Sequence, residues 1–226
     1  MGFFELLKQA FPSFLSGMGN TVIITLFSLF FATIIGLISC LMGLARIKPI
    51  RAISHGYLNV IRGTPLMIQA FFIYFGVTQA LDFRMTAAVA GVITLSLNAG
   101  AYMSEIFRGG IQAVSKGQME AARSLGLPYG NAMRKVILPQ ALRIVVPSLV
   151  NQCIITLKDT SILYAIGLPE LTMAGSMVVA RTFKSFYVWT MIGAMYFVVI
   201  YILTKLSKVL ERRLSLDNKG KRKKSA

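Results

Sequence analysis

Five long apolar runs, separated by polar stretches, dominate the sequence. They cover approximately residues 21–44, 65–81, 86–107, 144–166 and 187–205. As a helix, each run is long enough to cross a hydrocarbon core that is about 30 Å thick. A helix also satisfies its own backbone hydrogen bonds, which lipid cannot do for it. The pattern therefore predicts an all-α, polytopic integral membrane protein with five transmembrane helices.

Two shorter apolar segments lie outside these runs. Residues 3–14 carry apolar side chains at helical spacing, which predicts an amphipathic helix on the membrane surface. Residues 171–180 are apolar but short, and we expect an extracytoplasmic or re-entrant helix there. The predicted organisation is thus an interfacial helix at 1–18, a transmembrane domain at 19–210 and a basic cytoplasmic tail at 211–226.

The composition excludes several classes of protein. Hydrophobic residues make up 55% of the chain and charged residues only 14%, well below the share that a soluble domain carries. Cys40 and Cys153 both lie in apolar runs, and His55 is the only histidine. We therefore expect no disulfide framework, no metal site, no cofactor and no catalytic triad.

The net charge of +16 is compatible with nucleic-acid binding or with a membrane topology, and the distribution of the charges decides between them. Nineteen of the 24 Lys and Arg residues fall in the first-to-second connection, the third-to-fourth connection and the tail. With five spans these three regions share one side, which the positive-inside rule makes cytoplasmic. We therefore expect a multi-pass protein of the prokaryotic cytoplasmic membrane, with its N-terminus outside, its C-terminus inside and no nucleic-acid partner.

The connection from Arg108 to Gln140 is the longest polar stretch between two spans. Its sequence predicts a short helix over residues 118–126 that ends at Gly126, because glycine adopts the left-handed conformation at a helix C-terminus. Asn131 is expected to cap a second helix, which ends at Ile137-Leu138-Pro139. Ala121 and Ala122 would let a partner surface approach closely. The alternative is a hairpin that only connects two spans.

The chain resembles the permease subunits of ABC importers of type I. The resemblance is carried by Glu120-Ala121-Ala122, Gly126 and Ile137-Leu138-Pro139, which match the EAA loop of these permeases. Three further stretches resemble the polar amino acid uptake group: residues 61–66 (IRGTPL), 101–114 (AYMSEIFRGGIQAV) and 157–161 (LKDTS). Together the matches extend from about Gly19 to Arg213.

The resemblance implies a role and three partners. Glu120, Ala121, Ala122 and Gly126 would belong to a cytoplasmic coupling helix that docks into a groove on a separate ATPase subunit. A second permease subunit, either a copy or a paralogue, and an extracytoplasmic amino-acid-binding protein complete the importer. The chain contains no G-x-x-x-x-G-K-[ST] sequence, so we do not expect it to be an enzyme. The alternative is an ATP-independent secondary transporter or channel.

Polar residues within the predicted spans are candidates for the substrate pathway. An amino acid is a zwitterion, so Asp159 suits its ammonium group, and Lys158 or Thr160 suits its carboxylate. Asn98 and Tyr102 share a helix face and could bond to substrate. Each of these residues could instead bond to a neighbouring helix or subunit.

Two further positions are interpreted differently. Glu105 is expected to pair with Arg108 or reach water, because it lies near the cytoplasmic end of its span. Pro65 predicts that the second span is broken or begins there, and broken helices occur near transport sites. Arg62 is expected to mark the cytoplasmic interface rather than to contact substrate.

Overall fold

The computed structural model describes residues 2–223, with side chains described as far as Val209. All of the elements within this part are helical. The basic tail predicted for residues 211–226 lies beyond the last residue whose side chain is described.

The first helix, α1, extends from Phe3 to Leu44 without a break, although Pro12 lies inside it. The predicted interfacial helix therefore does not end before the first span but continues into it. Part of its apolar face, formed by Leu6, Ala10 and Phe14, is buried against later helices of the same chain. This burial provides the tertiary packing that extends one helix over 42 residues.

Helices α2 (Lys48–Gly63) and α3 (Leu66–Ala80) meet at an angle of 108°. The bend falls at Thr64-Pro65, where proline disfavours helical geometry in the preceding residue and lacks a backbone donor. The sequence prediction of a broken second span is therefore confirmed. Helix α3 also contains a widened turn with i to i+5 hydrogen bonds at Phe72–Val77.

Helix α4 (Ala87–Gln112) is the central helix and packs along α1. The two backbones approach closely at Gly36, where an added Cβ would lie 3.0 Å from the carbonyl oxygen of Gly100. Small residues permit such contacts between membrane helices, where dispersion replaces the hydrophobic driving force. The packing fixes α4 as the scaffold for the polar residues that it carries.

Helices α5 (Lys116–Ser124) and α6 (Tyr129–Ile166) follow. Here the structure corrects the sequence interpretation, because the second loop helix neither begins at Asn131 nor ends at Pro139. It begins after Pro128 and continues into the fourth span through a widened turn at Met133–Ile137. A widened turn just before Pro139 accommodates a ring that would otherwise clash with the preceding turn.

The last helices are α7 (Leu171–Thr182) and α8 (Ser185–Lys223). Buried Glu170 caps α7 by accepting hydrogen bonds from the backbone N–H groups of Thr172 at 2.8 Å and Met173 at 2.7 Å. Tyr196 of α8 donates a third bond at 2.9 Å. Burial raises the pKa of the Glu170 carboxyl, although these bonds oppose the shift. Helix α7 has only 12 residues, too few to span a membrane.

Within the described part of the chain, four helices are individually long and apolar enough to span a membrane, and the bent pair α2–α3 supplies a fifth candidate. The four lie in α1, α4, α6 and α8. This agrees with the prediction of an all-α polytopic protein with five spans.

Candidate functional site

The loop helix α5 ends in a glycine-dependent turn. The N–H of Leu127 donates to the carbonyl oxygen of Ala122 at 3.2 Å, and the N–H of Gly126 donates to that of Arg123 at 3.0 Å. These two bonds form a Schellman motif, in which the residue after the C-cap is left-handed. Gly126 occupies that position with φ of +82°. The predicted role of Gly126 as the helix-ending glycine is confirmed.

The predicted coupling residues differ in exposure. Glu120 and Ala121 face outward, whereas Ala122 is only 5% exposed. The expectation that both alanines present a surface to a partner is therefore wrong for Ala122, because its place in the helix turns it toward its own chain.

The sequence interpretation missed two large exposed side chains beside this helix. Leu125 is 84% exposed and Tyr129 is 59% exposed. Exposed apolar side chains that form a patch are candidates for a contact surface. The signal was present in the sequence, since both flank the Leu127-Pro128 break.

A small apolar cluster holds the base of the loop in place. Val114, Ile137 and Ala141 are buried together, and Met119 of α5 packs against them. This cluster packs α5 against α6 near the point where α6 continues into the fourth span.

The bend between α2 and α3 is held by one side chain, Gln69, which the sequence interpretation did not single out. Its Nε2 donates to the carbonyl oxygens of Ile61 at 2.7 Å and Thr64 at 3.0 Å, and to the Thr64 hydroxyl at 2.9 Å. Its Oε1 accepts a bond from Asn98 at 3.0 Å. The available signal was a glutamine inside an apolar run, four residues after Pro65.

The Asn98 side chain is thus hydrogen-bonded to a neighbouring helix and does not face open space. It is 8% exposed and lies near the midpoint of α4. Tyr57 of α2 contacts α4 at the same level, where its hydroxyl donates a hydrogen bond to the carbonyl oxygen of Leu97 at 2.6 Å. The break in the second span therefore lies close to the middle of the spanning helix α4.

A charged cluster lies about two turns further along α4. Glu105 accepts two hydrogen bonds from Arg108, at 3.1 Å from Nε and 2.6 Å from Nη2, which confirms the predicted pairing. Arg62 of α2 lies 3.7 Å from the same carboxylate. Its guanidinium also lies over the ring of Tyr102, 5.7 Å from the centroid. Tyr102 and Arg62 are therefore neighbours, which the sequence interpretation did not foresee.

Helix α6 presents an exposed stripe that includes polar groups. The exposed residues recur every three or four positions: Ile144, Ser148, Asn151, Ile155 and Lys158. A polar stripe on a spanning helix is unfavourable against lipid, where Lys is especially costly. The stripe therefore marks a face for protein or water.

The three predicted pathway residues of α6 separate in the structure. Lys158 belongs to the exposed stripe, and Asp159 beside it is half-buried. Thr160 is fully buried, and its hydroxyl donates to the carbonyl oxygen of Leu157 at 2.7 Å. Because adjacent helical residues point in different directions, the three do not form one pocket.

In the residues that the structure describes, no group of three or more His, Cys, Asp or Glu side chains could hold a metal ion.

Comparisons with known proteins match nearly the whole chain. Residues 35–216 match the family described as "Binding-protein-dependent transport system inner membrane component". An arginine transport system permease protein of Bacillus subtilis is 38% identical over 207 residues, which cover 92% of this chain and 94% of the relative. A glutamine transport system permease protein of Escherichia coli is 37% identical over 211 residues, covering 92% and 95%.

Solved structures give the same match. A chain from the crystal structure of an amino acid ABC transporter with histidines superposes with a TM-score of 0.90 and 39% identity, covering 94% of this chain and 99% of that one. A chain of an inward-facing MetNI methionine ABC transporter has a TM-score of 0.76 at 19% identity, covering 89% and 96%. At this lower identity the second match establishes the fold alone.

Proposed function

The chain belongs to the family of binding-protein-dependent transport system inner membrane components, and we propose that it is the permease subunit of an ATP-driven importer for a polar amino acid. It is a multi-pass membrane protein that forms the substrate pathway and transmits the movement of the ATPase to the spanning helices. A separate ATPase subunit hydrolyses ATP. The observation that carries the proposal is helix α5. A short exposed helix, closed by a left-handed glycine, is anchored directly to a spanning helix.

The coupling surface consists of Glu120, Ala121, Leu125 and Tyr129, all of which are exposed. We infer that the ATPase subunit contacts this surface. Gly126 fixes the direction of the chain after the helix, and Ala122 holds the helix against its own protein. Closure of two ATPase subunits on ATP would move α5, and the apolar cluster would pass that movement to α6. The transporter would alternate between two states, one of which ATP stabilises.

The exposed stripe on α6 supports a second permease subunit. Ser148, Asn151 and Lys158 would be costly against lipid but are suited to a water-filled path between two subunits. We infer that Lys158 and Asp159 lie along this path. Asn98 and Thr160 serve it indirectly, by bonding within the protein. Substrate would arrive from an extracytoplasmic binding protein.

The proposed orientation places the N-terminus outside and the C-terminus inside. It is supported by the charge distribution, because α5 carries Lys116 and Arg123 and the beginning of α6 carries Arg134 and Lys135. Labelling of single cysteines placed at Lys116 and at Lys184, in a Cys40→Ala, Cys153→Ala background, tests this arrangement. An impermeant maleimide added to intact cells should label position 184 and not 116. Labelling of position 116 from outside would contradict the orientation.

The function is tested by reconstitution. The permease, its ATPase and its binding protein are placed in liposomes, and uptake of labelled L-arginine and L-glutamine is measured with ATP inside or outside. We expect uptake only when ATP and the ATPase are on the same side as α5. Uptake that follows an ion gradient without ATP would instead support the secondary-transporter alternative.

The coupling surface is tested by Leu125→Ser and Tyr129→Ser. Each change removes exposed apolar area without altering the described packing, so insertion in the membrane should be normal while co-purification of the ATPase weakens. Leu142→Ser is a matched control, because Leu142 is also exposed but lies beyond the Arg108–Gln140 connection. Unchanged ATPase binding in both test variants would contradict the assignment of this surface.

A further inference from the structure

We propose that Arg62 binds the carboxylate of the transported amino acid at the break in the second span. This inference depends on the proposed function and adds a recognition residue to it. The sequence pattern suggested that Arg62 marks the cytoplasmic interface, and the tertiary structure adds that it lies beside Tyr102 and Glu105.

Arg62 retains unused hydrogen-bonding capacity. Glu105 is held by two short bonds from Arg108, and Arg108 also donates to Gln112 at 2.9 Å. The nearest approach of Arg62 to this carboxylate, 3.7 Å, lies beyond hydrogen-bond range. A guanidinium has five N–H donors in a planar fork. Within the described residues, the cluster therefore combines two guanidiniums with a single carboxylate.

The position of Arg62 indicates what its surplus positive charge can face. The Gln69–Asn98 bond ties the bend to the midpoint of α4, and Arg62 precedes the bend by two residues. The guanidinium itself lies beside Tyr102 and Glu105, between that midpoint and the Arg108 end of α4. An arginine within a span is costly unless it faces water, protein or a ligand. The side chain of Arg62 is 44% exposed, so this chain leaves part of it open to water, to a second subunit or to a substrate in the pathway.

The geometry favours a carboxylate as the ligand. A guanidinium fork binds a carboxylate through two parallel bonds, which a single ammonium group cannot reproduce. The Arg62 guanidinium also lies over the Tyr102 ring, at the distance of a cation–π contact. Since every amino acid carries an α-carboxylate, this contact would recognise the shared part of the substrate and leave the side chain to other residues.

The test uses the permease–ATPase complex in nanodiscs of zwitterionic lipid, without the binding protein. Binding of L-arginine and L-glutamine is measured by calorimetry, each beside its decarboxylated analogue, agmatine or 4-aminobutanamide. We expect the wild-type complex to bind at least one amino acid and to prefer it over the analogue. Arg62→Gln should weaken amino-acid binding by about tenfold or more and leave binding of the analogue unchanged, because only the amino acid has the carboxylate.

Matched variants separate recognition from folding. Arg62→Lys keeps the charge but not the fork, so its affinity should be intermediate. Arg51→Gln removes an exposed arginine from the same helix and should behave as wild type. A structural role for Arg62 would weaken the binding of amino acid and analogue equally, and that result overturns the proposal. Wild-type complex that binds neither amino acid overturns it as well.

Two controls distinguish other failures. Adding phosphatidylglycerol to the nanodiscs should leave amino-acid binding unchanged. Loss of binding on that addition would assign Arg62 to an anionic headgroup and contradict the proposal. As the second control, ATP-driven uptake by the wild-type importer is measured in parallel. Absence of uptake by the wild type refutes the proposed function. If the wild type is active and Arg62→Gln binds amino acids normally, only this inference is refuted.

Discussion

Replacement of Gly126 gives the sharpest prediction about coupling. An added Cβ at Gly126 meets no atom within 4 Å, so a larger side chain fits without a clash. The backbone conformation is the only obstacle, because φ is +82°. Gly126→Ala and Gly126→Val therefore test the left-handed turn itself rather than the space around it.

The expected magnitude follows from that conformation. The left-handed conformation destabilises a residue with a Cβ by about 1–2 kcal/mol, and a β-branched residue by more. Since 1.4 kcal/mol corresponds to a factor of ten, the equilibrium constant for forming the native turn should fall about tenfold. The loss should stay local, because Ala122 is the only buried residue of α5. We expect membrane insertion and the unfolding temperature to change little.

The assay is the number of amino acids transported per ATP hydrolysed in reconstituted liposomes. In Gly126→Val, ATP hydrolysis should persist while transport per ATP falls by about tenfold, and Gly126→Ala should show a smaller fall in the same direction. The altered direction of the chain after α5 is the physical reason, since the helix would no longer transmit its movement to α6.

Gly130→Ala is the matched control. An added Cβ at Gly130 also meets no atom within 4 Å, but the residue lies in a helix, where alanine is favourable. Its transport per ATP should equal that of the wild type. Normal coupling in Gly126→Val would refute the reasoning, as would an equal loss in Gly130→Ala, which would show that the loop is sensitive to any substitution.

The remaining predictions concern polar contacts between helices. Gln69→Ala should lower the unfolding temperature, because it leaves the Asn98 amide without its partner at a cost of about 1–3 kcal/mol. A double-mutant cycle with Asn98→Ala should give a coupling energy of about 1 kcal/mol, and additive effects would refute the pairing. Glu170→Gln should destabilise the protein more than Tyr196→Phe, since the amide loses a carboxylate oxygen that accepts a backbone N–H as well as the tyrosine bond. Thermal unfolding of the purified protein measures both changes, and a larger effect for Tyr196→Phe would contradict the assigned cap.

The sequence by itself determined the class of protein and the number of spans. Lipid accepts only segments that satisfy their own backbone bonds, so the length and composition of each apolar run decide the outcome locally. The helix-ending role of Gly126 and the break at Pro65 were equally predictable, because each depends on the backbone preferences of one or two residues.

Only the tertiary structure decided how distant residues meet. The sequence pattern treated Ala121 and Ala122 alike, yet one faces outward and the other inward. It stopped a helix at Pro139 that packing carries onward through a widened turn. It also could not place Arg62 above Tyr102 or join Gln69 to Asn98. These contacts arise from the angle between helices, and no local preference encodes that angle.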